Sequence, residues 1–391
     1  MVSSAVPPPV AARPIAGRRE QMATRAVFLV VGLATAAWAP LVPFAKERTG
    51  VDDAAFGLLL LCLGLGSIAA MPVTGALAGR FGCRLVIVVA AIAFAIVLPF
   101  LALAGSVPAL AAALALFGAS IGTADVAMNI QAVMVEKDSG RSMMSGFHGL
   151  YSLGGIVGAG GVSLLLGEGL TPLAATLIAS VAVIALLLAS FSGLLPYGSR
   201  EAGRAPLFVA PKGIVVLIGL LCFLVFLGEG AVLDWGALFM IAGHGAEPAQ
   251  AGLAFTMFAV AMTVGRLGGD RIVGRLGGPG VVVAGGLLAA AGFLLSVEAP
   301  DRPLALAGFA LVGLGAANIV PVFFTAAGRQ TRMPASLAVA AITTLGYAGV
   351  LLGPAAIGFV AQHFDLAAAF VLLAGAMAFV AIAGALGIRR A

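Results

Sequence analysis

The sequence predicts an all-α membrane protein of twelve transmembrane helices arranged in two parallel six-helix bundles. Three observations carry this. Of the 391 residues, 62% are hydrophobic and only 9% charged, against about 25% charged in an ordinary soluble domain. The chain falls into twelve apolar runs, each able to cross a ~30 Å hydrocarbon core. It also repeats itself at an offset of 195 residues, half its length.

The elements follow in order. Residues 1–21 hold Pro7, Pro8, Pro9, Pro14 and a cluster of arginines, a composition that reads as a disordered cytoplasmic tail. The apolar run after the tail is too long for a signal-peptide core and leads directly into further spans, so it counts as the first one. Apolar runs between polar or Gly/Pro breaks give spans near 22–45, 53–77, 85–104, 108–134, 144–166, 172–195, 213–241, 249–265, 280–297, 303–327, 335–360 and 366–388. Residues 22–195 form an N-terminal six-helix bundle, 196–212 a cytoplasmic linker and 213–391 a C-terminal six-helix bundle, with no stretch left over for a soluble domain.

Charge fixes the orientation. Of the 21 Lys and Arg residues, all but Lys46, Arg48 and Arg302 fall in the tail, the even-numbered loops and the C-terminus. The positive-inside rule then puts both termini in the cytoplasm of a bacterial-type cell, as a multi-pass inner-membrane protein. The thin spread of basic residues, without blocks or aromatic interleaving, argues against a nucleic-acid partner. The cysteines, Cys62, Cys83 and Cys222, lack metal-type spacing and read as small apolar packing residues.

In the repeat, Gly57 maps on Gly252, Arg80-Phe81-Gly82 on Arg275-Leu276-Gly277, Gly118 on Gly313, Gly154 on Gly349 and Gly158 on Gly353. Six spans return the chain to its starting side, so the halves are parallel repeats about an axis along the membrane normal.

A few polar residues interrupt the spans. Asp125 precedes Glu136 by eleven residues, roughly 16 Å of helix, and so lies near the middle of the core. A carboxyl there costs roughly 2.5–3.5 kcal/mol to insert and normally faces a protein-lined interior. Gly118, Gly122, Asp125 and Asn129 share one helical face, which reads as cavity-lining. No Lys or Arg lies deep inside any predicted span to pair with Asp125, which leaves it suited to taking up and releasing a proton. The polar outliers recur every third span: Asp125 and Asn129 in span 4, Glu229 and Asp234 in span 7, Asn318 in span 10. Glu229, between Gly228 and Gly230, is expected in the outer half of the membrane at a local helix break. Trp235 reads as an interfacial anchor, and Trp38, deep in span 1 beside Pro40, as a ring that packs in the core or stacks on a sugar. His148 opens span 5 with Tyr151 and Ser152 on its next turn, as a proton relay or an interfacial histidine. No His-Glu-x-x-His, P-loop or nucleophile elbow occurs, so neither an enzyme nor a cofactor or metal centre is expected.

Several segments together carry a family resemblance. GALAGRFGCR at 75–84 looks like a G-x-L-a-D-R-x-G-R-R loop signature, and GRLGGDRIVGRLGG at 265–278 ends span 8. TADVAMNIQA in span 4, FHGLYSLGG at 147–155, GEGAVLDW at 228–235 and GLGAANIVPVFF at 313–324 are more specific. On these the chain resembles the major facilitator superfamily, in particular the YbjJ-type inner-membrane members of its fucose-permease-like branch. The resemblance implies a monomeric secondary transporter working by alternating access, with spans 1, 4, 7 and 10 lining a central cavity. It further implies a small polar solute such as a sugar or related metabolite, coupled to protons. On that basis Asp125, Glu229 and His148 are the candidate coupling residues. Trp38, Asp125, Asn129, Tyr151, Glu229 and Asn318 are the candidates for solute binding, and Arg80, Gly82, Asp270 and Arg271 for gating. Gly79 replaces the acid of the loop signature, and the Gly-Pro of drug–proton antiporters is missing from span 5, where Gly158-Ala159-Gly160 stands. An exporter of drug-like or metabolite molecules is the alternative, and a non-transporting membrane sensor a third.

Overall fold

A computed structural model of the protein describes residues 16–51, 53–198, 209–246 and 252–388. Among these residues it contains eleven helices long and apolar enough to cross a membrane. One of them, Leu253–Glu298, is two spans joined at Gly277, whose backbone (φ 70°, ψ 163°) leaves the helical region just before Pro279. Counting it as two gives the twelve spans predicted.

Span 1 is Arg18–Ala37, a 3-10 turn over Ala39–Leu41 containing Pro40, and a final helix Val42–Thr49. Spans 2 to 6 are Asp53–Phe81, Cys83–Leu103, Val107–Ser139, Met144–Gly167 and Pro172–Ser190. Span 7 is Ile214–His244, and Leu253–Glu298 holds spans 8 and 9. Span 10 is broken into Arg302–Ala316 and Ile319–Arg329, followed by span 11, Ala335–His363, and span 12, Leu366–Ile388. The first helix starts at Arg18, so residues 18–21 of the predicted tail are helical, with Glu20 reaching back to the Gly17 N–H at 2.7 Å. The rest of that tail, up to residue 15, and residues 199–208 of the linker lie outside the described residues. The described start of the linker is tied to the first half, Cys83 N–H donating to the Tyr197 carbonyl at 3.3 Å and Arg84 N–H to Leu195 at 2.8 Å.

Glycines set the packing. Helices surrounded by lipid gain little from burying apolar surface against each other, so small residues that allow backbones to touch carry the contact. A Cβ on Gly118 of span 4 would lie 1.9 Å from the Leu63 carbonyl of span 2, and one on Gly313 of span 10 would lie 2.2 Å from the Phe258 carbonyl of span 8. Both partners in that second pair sit 195 residues after the first. Gly154 on Leu29 (2.2 Å) and Gly349 on Phe223 (2.2 Å) tie span 1 to 5 and span 7 to 11 in the same way. This corrects one expectation. Gly118 and Gly122 face Leu63 and Ser67 of span 2, so of the four-residue stripe only Asp125 and Asn129 turn toward the middle of the molecule.

The halves touch on the side where span 1 begins and span 12 ends, here the terminal face. There Gly75 of span 2 meets the Ser336 carbonyl of span 11, Gly149 of span 5 meets Leu267 of span 8, and Gly328 of span 10 meets Val133 of span 4.

Candidate functional site

The polar residues of the spans gather between the two halves. Asp125 and Asn129, one turn apart on span 4, are both buried, and the Asn129 amide donates to the Asp125 backbone carbonyl at 2.9 Å and to its Oδ1 at 3.5 Å. Tyr151 of span 5 and Tyr347 of span 11 lie near each other and near Thr35 of span 1 and Asp125. Trp38 is buried at the point where the first helix gives way to the 3-10 turn.

Across from this group lies a residue that overturns an expectation. Arg266 is 7% exposed, so a cation does lie deep in the molecule. Its charge ended the apolar run at 265, yet the helix runs on to Gly277, which puts Arg266 roughly 20 Å along from Leu253, well inside the membrane. The positive-inside count therefore included one residue that is not in a loop. Three partners offset the cost of burying the guanidinium. Its Nε donates to the Ala317 carbonyl (3.3 Å), Nη1 donates to Ser152 Oγ (3.1 Å), and Nη2 lies 3.8 Å from Glu229 Oε1. The free carbonyl has a cause in the sequence. Four residues after Ala317 stands Pro321, which has no N–H to give and whose ring pushes that carbonyl aside, breaking span 10 at Ala317–Asn318.

Glu229 is consequently not the helix-end carboxyl of an outer break. Span 7 is continuous through Gly228 and Gly230, the first packed near Met377, and Glu229 is midway along its 31 residues. Its Oε1 is buried without a hydrogen bond, because 3.8 Å is beyond hydrogen-bond length. Asn318 sits at the break in span 10 and donates from Nδ2 to the Gly265 carbonyl at 3.0 Å, leaving its Oδ1, like Asn129 Oδ1, without a partner among the described residues. His148 is buried, its ring between Phe28 of span 1 (centroids 5.2 Å apart) and Phe324 of span 10 (5.5 Å), and its Nε2 has no partner among the described residues. Buried in this way, it is not an interfacial histidine. Trp235 packs over Gly358 of span 11, where a Cβ would lie 3.1 Å from its ring, and its indole N–H has no partner among the described residues.

The gating candidates separate. Asp270 Oδ1 accepts the Gly146 N–H at 3.0 Å, so an acid of the second half caps the first turn of span 5 in the first half. At the 195-residue offset its counterpart is Gly75, which meets span 11 backbone to backbone. The two halves thus close by different chemistry, a hydrogen bond on one side and bare packing on the other. Gly82 (φ 85°) lies against the Pro196 carbonyl within its own half. Arg80 and Arg271 are exposed on the terminal face.

Sequence reading missed Arg266, Tyr347, Glu136 and Thr325. Glu136 Oε2 accepts the N–H groups of Met143 and Met144 (2.8 and 2.9 Å), and the Thr325 hydroxyl of the other half donates to its Oε1. Glu136 and Asp270 therefore divide the free N–H groups at the start of span 5 between the halves. The helical periodicity continuing past 265 was the signal that would have found Arg266. Nothing local links Glu136 to Thr325, 189 residues away.

Comparison with known proteins agrees with this architecture. Residues 26–231 match the family model described as Major Facilitator Superfamily. An uncharacterised MFS-type transporter of Yersinia pestis is 56% identical over 354 residues, covering 90% of this chain and 92% of that one. Among solved structures, the MFS transporter FucP in its outward conformation superposes with a TM-score of 0.81 at 16% identity, over 95% of this chain and 99% of that one. The human organic anion transporter MFSD10 does so with a TM-score of 0.78 at 18% identity, over 95% and 100%.

Proposed function

Because the chain belongs to the Major Facilitator Superfamily, we propose that this transporter moves a small, hydroxyl-rich polar solute by alternating access, coupled to protons through Asp125. The observation that carries the reading is the imbalance of the buried polar cluster. Among the described residues Asn129 Oδ1, Asn318 Oδ1 and Glu229 Oε1 are buried acceptors that receive no hydrogen bond. An unpaired buried polar group costs roughly 1–3 kcal/mol, so the cluster favours an occupant that brings donors. A polyhydroxy compound such as a sugar or a related metabolite does that, and Trp38 and Tyr151 offer ring faces beside it.

Asp125 remains the coupling acid despite the buried cation. Arg266 is spent on Glu229, Ser152 and Ala317, while the side-chain bond recorded for Asp125 is the long one from Asn129. A carboxyl so placed has reason to carry a proton through the low-dielectric interior and to release it when water reaches it. Glu229, held by Arg266, is the second coupling candidate. His148 reads as part of an aromatic plug below the cluster.

The N-terminal bundle, linker and C-terminal bundle rock against each other as two bodies in this reading, with both termini cytoplasmic in a bacterial inner membrane and the protein a monomer. The contacts at the terminal face then belong to an outward-facing state, with Asp270–Gly146 and Glu136–Thr325 as its latches. Purified protein in liposomes should accumulate a labelled polyol or sugar when a pH gradient is imposed and lose it when the gradient collapses. Transport that ignores pH would make the protein a facilitator. Movement of lipophilic cations with no response to any polyol would favour the exporter reading.

A further inference from the structure

On the terminal face a cleft of about 880 Å³ opens between the halves, lined by Gly140–Ser142 of the first half and by parts of spans 8 to 10 and 12 of the second. Three arginines, Arg141, Arg271 and Arg329, line it, and among the described residues none of their guanidinium groups makes a hydrogen bond or ion pair. The only carboxylate on the lining among the described residues, Asp270, is turned to the Gly146 N–H. Like charges gathered around one cleft raise its positive potential, and low-dielectric sides focus that field. The planar donors of arginine match the oxygens of a phosphate group. Val273, Val322 and Ile388 add apolar lining that offers no counter-charge.

We propose that this cleft binds a phosphate-type anion, supplied by a phospholipid headgroup or by a free phosphate compound, and that the bound anion holds the terminal face closed. The closing effect follows from where the wall residues come from. Arg141 belongs to the first half and Arg271 and Arg329 to the second, and the latch residues Asp270 and Thr325 are on the same wall. An anion bridging them binds the closed arrangement more tightly than one in which the walls have moved apart, so it shifts the population toward closure. This site is separate from the buried polar cluster and does not depend on the identity of the transported solute.

The test uses the full chain in nanodiscs of neutral phosphatidylcholine, with spin labels on cysteines replacing Lys137 and Arg332 in a cysteine-free background. These exposed positions lie on the terminal face of opposite halves and outside the cleft. Pyrophosphate, at ionic strength matched with potassium chloride, should raise the melting temperature and increase the short-distance population. In Arg271→Gln/Arg329→Gln its affinity should fall about tenfold or more, as expected for losing two charge-assisted contacts. Arg275→Gln, an exposed arginine on the same face that does not line the cleft, should leave it unchanged. A response to phosphatidylglycerol nanodiscs but not to pyrophosphate, lost in the same double variant, would assign the anion to the lipid headgroup. No response in either arm, or equal loss in Arg275→Gln, would overturn the site. Binding with an unchanged distance distribution would overturn the closure.

Discussion

Arg266 and Glu229 offer a direct measure of how the centre of the molecule is held together. At 3.8 Å, two unit charges attract by about 4 kcal/mol with an effective dielectric of ~20. The side chains are only 9% and 17% exposed, so water screens the pair weakly. Removing the cation in Arg266→Gln also removes the donors to Ala317 and Ser152 and strands a buried carboxylate, a loss of about 3–5 kcal/mol. Glu229→Gln leaves the guanidinium bonded to Ala317 and Ser152 and should cost less, about 1–3 kcal/mol. The double variant should cost about 1–3 kcal/mol less than the sum of the two. Reversible unfolding from mixed micelles by SDS, followed by tryptophan fluorescence, gives all four corners of the cycle. Additive losses would mean that the two charges do not interact, and the account of Arg266 as a paired central cation would fail.

Asp125→Asn should keep equilibrium exchange of labelled solute but abolish pH-driven accumulation in liposomes, whereas Asn129→Ala should weaken solute binding with coupling kept. Accumulation by Asp125→Asn with normal pH dependence would move coupling to Glu229. Asp270→Asn, which loses the charge at the capping bond to Gly146, should cost the closed state about 1 kcal/mol and raise the accessibility of a cysteine at Ser145 to labelling from the terminal side. Unchanged labelling would remove Asp270 from the latch. Gly118→Ala and Gly313→Ala drive a methyl into the Leu63 and Phe258 carbonyls and should each destabilise by about 1–3 kcal/mol, while Gly160→Ala, with nothing within 4 Å, should not. Thermal melts of the three variants would show it, and equal effects would refute the packing role assigned to the repeat.

The chain by itself determined the spans, their number and the repeat, because the bilayer imposes one length and one apolarity on every crossing segment. The repeat carried over into the glycine contacts, although Gly118 and Gly122 themselves read as cavity-lining from the chain alone. The contacts of Gly118 and Gly313 fall on partners 195 residues apart, as the offset requires. The chain singled out Asp125, Asn129, Glu229 and Asn318, since a polar residue within a span stands out against hydrocarbon. Tertiary structure alone decided which of them pair. Arg266 looked like a loop residue because an apolar run ends at a charge, whereas a helix ends where its hydrogen bonds do, eleven residues later at Gly277. What makes its burial tolerable comes from spans 5, 7 and 10, with Pro321 freeing the carbonyl that one guanidinium nitrogen needs. The closure of the terminal face was equally hidden. Glu136 meets Thr325, and Asp270 meets Gly146, across more than a hundred residues of chain. Such pairings depend on how two bundles dock, and a hydropathy pattern that repeats within each bundle carries no record of that docking.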